Sequence, residues 1–274
     1  MSTKVSIITI SYNAKQVIGE TINSVLAQKF NDYEYIFVDG KSSDGTVDTI
    51  RSYVELLENM GIVCRVISEP DKGIYDAMNK GIALANGQWV LMLNAGDMFA
   101  HDQVLECFFQ NQEYDADIVY GDVIYKYDAG GTTYYKRGVP APLDKIKEGM
   151  VFCHQCVFVR NEVIKRYEFD TRYKITADYD SFVRAYKDNV PFKYVNRVVA
   201  IYDCAGLSTS NIKKALTETM QIKKAAGFQW EVSAVSTLMF RGKNMLRVLI
   251  QKFFPEIAFS ERRGWYKHIP ENLN

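Results

Sequence analysis

Residues 5–13 read VSIITISYN, residues 33–46 read YEYIFVDGKSSDGT and residues 88–97 read QWVLMLNAGD. In each, an apolar run stops abruptly at polar residues: Asn13, then Asp39, then Asn94 and Asp97. The first run, Val5 to Ile10, is rich in β-branched side chains and nearly free of charge, as a strand covered on both faces requires. Helical patterns separate such runs, and strands alternating with helices predict a parallel sheet. Sheets of that kind bind ligands outside the carboxyl ends of their strands, so the three polar tips are expected to converge on one crevice.

Working outward, the pattern is regular for about a hundred residues. Val17, Ile18, Ile22, Val25 and Leu26 form a helical stripe after the first strand. The second strand, Tyr33 to Val38, leads to Asp44 and Thr46, which offer helix N-cap chemistry, and then to a helix marked by Val47, Ile50, Val54 and Leu57. A third strand spans Ile62 to Ile67. A third helix carries Ile74, Met78, Ile82 and Ala85 and is expected to stop at Gly87. Trp89 to Leu93 is a fourth strand. Beyond Asp97 the alternation weakens. Val104 to Phe109 reads as a helix, Ile118 to Tyr120 as a further parallel strand, and Val123–Tyr127 with Thr132–Lys136 as a hairpin around DAGG. Met150 to Arg160 reads as a strand, Asp178 to Lys187 as a helix and Phe192 to Tyr202 as a last strand.

The chain has 274 residues, of which 47% are apolar, and zero net charge. That is enough for one large α/β domain with an appended lobe, and the neutral balance argues against a general nucleic-acid binder. The N-terminus enters a strand at once with no cleavage site, and no apolar run reaches the length of a membrane span, which leads us to expect a cytoplasmic protein. Five cysteines without a signal peptide read as reduced thiols. Cys153 and Cys156 form a C-x-x-C, but no second pair completes a zinc site, and the apolar run MVFCHQCVFV favours small buried side chains.

The last sixty residues differ. Lys213 to Lys252 holds eight Lys or Arg against two acids. Val235, Leu238, Met239, Met245, Leu246, Leu249, Ile250 and Phe253 share one face at helical spacing, with Arg241, Lys243, Arg247 and Lys252 around it. A basic amphipathic helix of this type lies on an anionic membrane surface or pairs protein faces, such as those of a homodimer. The expected division is a domain at 1–210, with halves at about 1–100 and 101–210, followed by a helical tail at 211–274.

SIITISYN, IFVDGKSSDGT, EPDKGIYDAMNKGIALANGQWVLMLNAGD and FDTRYKITADYDSFVRAY, in this order and spacing, resemble the family 2 glycosyltransferases with the GT-A fold. The resemblance covers residues 4 to 210. It implies a Rossmann-like, mostly parallel sheet with helices on both faces. It also implies a nucleotide-diphosphate sugar donor, a divalent cation (Mg or Mn), inversion at the anomeric carbon, and a saccharide or lipid-linked saccharide acceptor. The setting it suggests is bacterial surface-polysaccharide synthesis, and the basic amphipathic tail adds the expectation of a place at the inner face of the cell membrane.

Carried over residue by residue, Asp39 accepts a hydrogen bond from the nucleobase, unless it only caps the loop that follows. Thr9, Ser11 and Tyr12 wall the base. Asn94 is left for a ribose hydroxyl. Asp97 binds the cation, at the place where the family has Asp-x-Asp; the chain departs from that pattern at Asn94 and Gly96. Lys72 offsets diphosphate charge and Asp76 joins the donor site, while Glu69 and Asp71 are equally open to a capping reading. Asp178 matches the acid that deprotonates the acceptor hydroxyl, and Ala177 replaces the family's preceding Glu. An inverting transfer needs one such base, because a sugar hydroxyl is a poor nucleophile until its proton is taken. His154, Gln155 and Asp180 are candidates for the acceptor side. Asp203 and Ser208 follow the last strand, where relatives place another ligand, and the third metal ligand stays unassigned.

Three alternatives compete. A nucleotidyltransferase would carry a Gly-rich phosphate loop after the first strand, and SYNAKQVIG has none. A processive synthase would carry membrane spans and Gln-x-x-Arg-Trp, of which Glu261–Trp265 is a loose echo. A catalytically degenerate nucleotide-sugar or glycan-binding protein is consistent with Asn94 and Ala177.

Overall fold

The computed structural model describes residues 3–204, 211–228 and 264–269. The amphipathic segment from Val235 to Phe253 and Ser208 lie outside the described residues. Four strands open the chain: β1 (Val5–Ser11), β2 (Tyr33–Asp39), β3 (Val63–Ser68) and β4 (Trp89–Met92). All pair in parallel, in the order β3-β2-β1-β4. The helices between them are α1 (Ile18–Leu26), α2 (Thr46–Asn59) and α3 (Ile74–Leu84). The chain runs outward from β1 through β2 to β3, then crosses back to the other side of β1. Strand order therefore reverses between β1 and β4, the kind of switch point at whose strand carboxyl ends open α/β sheets bind ligands.

The sheet continues with mixed polarity. Short β5 (Met98–Phe99) and α4 (Val104–Phe109) precede β6 (Ile118–Ala129) and β7 (Thr132–Gly138). Then come β8 (Val157–Arg160), α5 (Asn161–Arg166), α6 (Ala177–Lys187) and β9 (Phe192–Asp203). β8 is antiparallel to both β4 and β6, β6 is parallel to β9, and β5 is antiparallel to β9. The two short strands expected at 118–120 and 123–127 are one strand, bent by a bulge at Gly121–Asp122. A β-carbon on Gly121 would come within 2.4 Å of the Arg197 carbonyl, so only glycine lets β9 pass so closely. Gly130 and Gly131, at φ 57° and 75°, make the hairpin turn.

Alternation along the strands builds two cores. Ile8, Ile10, Ile36, Val38, Val90 and Met92 face one side with residues of α3, α5 and α6. Val5, Ile7, Tyr35, Phe37, Leu91 and Leu93 face the other with α1, α2 and α4. Gly81 lets α3 lie flat on β1, since a β-carbon there would meet Ile8 Cγ2 at 2.4 Å. Gly87 does not end that helix; α3 stops at Leu84, and Gly87 passes close against β1, its N–H donating to Ser6 Oγ at 2.8 Å and to Glu34 Oε1 at 3.0 Å. The tail segment begins with α7 (Ile212–Ala225), whose Ile222 enters the core under α3 and α6. Residues 264–269 return to the hairpin, where Tyr266 exchanges backbone hydrogen bonds with Tyr135 and Trp265 packs on Tyr134. Among the described residues no helix is long and apolar enough to cross a membrane.

Candidate active site

The first two tips meet as expected. Ser11 is in register with Asp39, and its Oγ donates to Asp39 Oδ1 at 3.0 Å. Asp39 is fully buried. It also accepts from Ser42 Oγ at 2.5 Å, Ser42 N at 2.8 Å and Ser68 Oγ at 2.8 Å. Four donors fill the lone pairs of a carboxylate, so a base N–H reaches it only when a serine hydroxyl turns aside. Asn13, at φ 48°, closes the loop opposite through its Oδ1, which accepts from Ser43 N. Tyr12 is 68% exposed beside Gly40 and presents an aromatic face at this tip. Thr9 does not join them. Its hydroxyl lies inside the sheet, 2.6 Å from the Leu93 carbonyl and 2.9 Å from Tyr35 Oη; Thr9 shares a face of β1 with Ser11 but sits two residues, about 6.6 Å, short of the tip.

After β4 the chain makes a tight turn in which Asp97 N donates to the Asn94 carbonyl at 2.9 Å. Gly96 has φ 99°, the left-handed third position that a type II turn requires. Asp97 is thereby folded inward and buried. Its Oδ2 accepts from Gln155 Nε2 at 3.0 Å and its Oδ1 from Asp203 N at 3.2 Å. Burial pushes its carboxyl up to about 7, against the Asp203 amide, His154 and Gln155, which favour the charge. Asn94 Oδ1 is buried without a hydrogen-bond partner among the described residues. Among the described residues no three His, Cys, Asp or Glu cluster as a metal cage. The oxygens present, Asp97 with the orphaned Asn94 amide beside it in the turn, nonetheless fit a hard cation that fills its shell from phosphates and water.

The expected strand from Met150 to Arg160 is shorter than its apolar run. Residues His154–Cys156 form a 3₁₀ turn, and only Val157–Arg160 is strand. The turn sends adjacent side chains to different acids. Gln155 is buried on Asp97, with its Oε1 accepting from Cys153 Sγ at 2.9 Å, and so does not face an acceptor. His154 Nδ1 lies 3.4 Å from Asp178 Oδ2, and its Nε2 is buried without a partner among the described residues. A hydrogen bond with Cys156 and burial hold the Cys153 thiol well above its usual value, which leaves it unreactive. All five cysteines are unpaired with one another.

Asp178 occupies the first turn of α6 rather than its cap, which is Thr176. Its Oδ1 lies 2.9 Å from Tyr75 Oη, which also reaches the Ile175 carbonyl at 2.8 Å. Burial works to raise the Asp178 carboxyl. The His154 hydrogen bond and charge and the Tyr75 hydroxyl outweigh it, so Asp178 stays below the usual carboxylate value and ionised. Asn79 bonds both ways to the backbone of Phe169, at 2.8 and 3.0 Å, so α3 grips the segment that leads into α6. Asp180 is two residues on and points elsewhere; it pairs with Arg184 Nε at 2.8 Å and stands outside this cluster.

The EPDKG loop is mostly self-contained. Asp76 accepts from Lys72 N at 2.9 Å and lies 3.7 Å from Lys80 Nζ, while Asp71 accepts from Gly73 N at 3.0 Å. Asp76, in the first turn of α3, thus ties that turn to the loop before it, Lys80 also pairs with Glu69 at 2.8 Å, and the Lys72 side chain is exposed. Sequence reasoning missed Tyr75 and the amide of Asp203. Tyr75 lies inside GIYDAMNKG, at the helix start, and that position was its one visible signal.

The chain is similar to known proteins in sequence and fold. The profile of Glycosyl transferase family 2 matches residues 6–206. A PGL/p-HBAD biosynthesis glycosyltransferase of Mycobacterium bovis is 30% identical over 229 residues, 82% of this chain and 86% of that protein. A putative teichuronic acid biosynthesis glycosyltransferase of Bacillus subtilis is 37% identical over 100 residues, 36% of this chain and 38% of that protein. Among solved structures, S. aureus TarS 1-349 in complex with UDP-GlcNAc superposes with a TM-score of 0.63 at 18% identity, covering 95% of this chain and 74% of that one. A Pyrobaculum calidifontis mannosyltransferase in complex with GDP-Man and Mn2+ gives 0.58 at 15%, covering 89% and 80%. The shared fold is GT-A.

Proposed function

Because this chain belongs to glycosyl transferase family 2, we propose that it is an inverting glycosyltransferase in bacterial surface-glycan synthesis, with Asp178 as its base. The observation that carries this reading is Asp178 flanked by His154 Nδ1 at 3.4 Å and the Tyr75 hydroxyl at 2.9 Å, in a chain whose turn after β4 folds Asp97 inward. The donor is a nucleotide-diphosphate sugar, with its base beside Tyr12 and Asp39. A divalent cation (Mg or Mn) at Asp97, when bound, supplies positive charge to the departing diphosphate.

Asp178 accepts the proton of the acceptor hydroxyl as that oxygen attacks the anomeric carbon from the face opposite the diphosphate. The old carbon–oxygen bond breaks and its electron pair leaves with the nucleoside diphosphate, so configuration inverts. His154 Nε2, left without a partner among the described residues, gives the acceptor a hydrogen-bonding group next to the base. Relatives named for PGL/p-HBAD biosynthesis and teichuronic acid biosynthesis support a saccharide or lipid-linked saccharide acceptor. The basic amphipathic sequence from Val235 to Phe253 supports attachment at the inner membrane surface, which flotation with anionic against neutral liposomes tests.

Asp178→Asn should keep donor binding and lose roughly a hundredfold or more in transfer rate, the scale of a lost general base. Transfer at the parent rate removes Asp178 from this role. Donor binding with no transfer or donor hydrolysis in the parent protein favours a degenerate sugar-nucleotide binder instead.

A further inference from the structure

Glu218 lies on α7, beyond the region that matches the family. It is a buried carboxylate far in sequence from any site residue, yet its bonds run to the backbone immediately before Asp178. Its Oε1 accepts from Lys174 N at 2.9 Å, and its Oε2 from Ile175 N at 2.8 Å, Thr176 N at 3.1 Å and Thr176 Oγ1 at 3.2 Å. Three consecutive backbone N–H groups thus converge on one carboxylate. They precede the first residue of α6, where the helix dipole also favours negative charge. The Ile175 peptide is held on both sides, its N–H by Glu218 and its carbonyl by Tyr75. Asp178 follows three residues later.

The seat of Glu218 is itself firm. Ile222, one turn on, is buried in the core shared by α3 and α6, and Ala226 and Phe228 pack against it. Lys223 Nζ donates to the Glu148 carbonyl, tying α7 to the loop that leads to His154.

We propose that Glu218 is a positioning residue for the reaction, setting the rotation and depth of the first turn of α6 so that Asp178 meets both His154 and Tyr75. This rests on the reading of Asp178 as base. Glu218 touches neither donor nor acceptor; it acts through the 174–176 backbone. Charge-assisted bonds of this type hold geometry tightly, and a displacement of about 1 Å in a reacting group can cost on the order of a hundredfold in rate.

The test uses the full chain with Glu218→Ala and Glu218→Gln, donor affinity by calorimetry, and kcat against pH. Gln keeps the shape and one acceptor oxygen but turns an NH2 toward backbone donors, so it serves if the Ala variant does not fold. The expected result is a fall in kcat of about tenfold or more, in line with a misplaced base, with donor affinity within about twofold. The acid limb of kcat should also move to higher pH, because Asp178 loses part of the bonding that keeps its carboxyl low. A merely structural residue would lower the melting temperature and leave the pH profile of the folded fraction in place; that result in Glu218→Gln overturns the proposal. Adding Glu218→Ala or Glu218→Gln to Asp178→Asn separates the two readings. If Asp178→Asn alone transfers at the parent rate, the base assignment fails whatever Glu218 does. If Asp178→Asn is inactive and neither Glu218 variant changes kcat or its pH dependence, the positioning role fails by itself.

Discussion

The hydroxyl of Tyr75 lies 2.9 Å from Asp178 Oδ1, although the two residues are 103 positions apart. Tyr75 stands in the first turn of α3, at the end of the EPDKG loop, and Asp178 in the first turn of α6. One hydrogen bond therefore joins the half of the molecule expected to hold the donor to the half expected to hold the acceptor.

Tyr75→Phe removes that bond and leaves the ring against Phe169. The Tyr75 hydroxyl is one of the groups holding Asp178 low. A base works when deprotonated, so activity is lost as pH falls through its pKa, and a raised pKa moves that loss to higher pH. The Phe variant should show its acid limb shifted upward and kcat lowered by about tenfold, the equivalent of a 1.5–3 kcal/mol bond to a charged group felt in part at the transition state. Profiles of kcat and kcat/KM against pH check both; superimposable profiles would disconnect Tyr75 from the chemistry.

Asp97 and Asp39 should separate metal from base recognition. Asp97→Ala should abolish the Mn-dependent part of nucleotide diphosphate binding. Asp39→Ala should weaken nucleoside diphosphates by about ten- to a hundredfold, on the scale of one or two hydrogen bonds to a charged group, while inorganic diphosphate binds unchanged. Calorimetric titrations with and without Mn read both effects. Mn-dependent binding that survives Asp97→Ala takes the cation elsewhere.

Glu34 predicts a pH-dependent stability with a definite sign. It is buried in β2 and ties Ser6 Oγ at 2.6 Å and the amides of Asn86 and Gly87 at 2.6 and 3.0 Å, and it pairs with Arg65. Burial disfavours its charge, but Ser6, the Asn86 amide and Arg65 prevail and hold the carboxyl below its ordinary value of 4.5. A depressed carboxylate contributes its stability fully above the unfolded value and loses it as pH falls through the folded one. Glu34→Gln should thus cost about 1.5–3 kcal/mol at pH 7, and the gap from the parent should close as pH drops below 4.5. Urea unfolding at several pH values measures this, and a gap constant with pH would rule out the charged form as its source.

The parallel half of the fold is legible in the sequence because its signals are local. Each strand is a mostly apolar run, each helix a stripe, and Asp39 and Asp97 stand where the runs stop. What was illegible depended on partners far along the chain. Thr9 reads as a tip residue, but it lies two residues back along β1, where its hydroxyl is taken up by Tyr35 and the Leu93 carbonyl inside the sheet. Met150 to Arg160 reads as one strand because its apolar content is continuous, whereas a turn at His154–Cys156 is needed to deliver Gln155 to Asp97 and His154 to Asp178. Asp180 resembles Asp178 in sequence and is separated from it only by helical geometry. Glu218 carries no local sign of its role, since its partners are 42 to 44 residues away.

The pairing of Tyr266 with Tyr135 bears on how this protein can be cut. β7 is the outer arm of a hairpin, and an uncovered strand edge invites pairing with other chains. Here residues 264–269 occupy that edge and Trp265 shields Tyr134. A chain trimmed to the family-matched region would shed this cover together with the Glu218 carboxylate. Such a fragment should associate edge to edge and transfer poorly even with its donor pocket whole, so its inactivity would report on sticky borders and a loosened helix rather than on substrate choice.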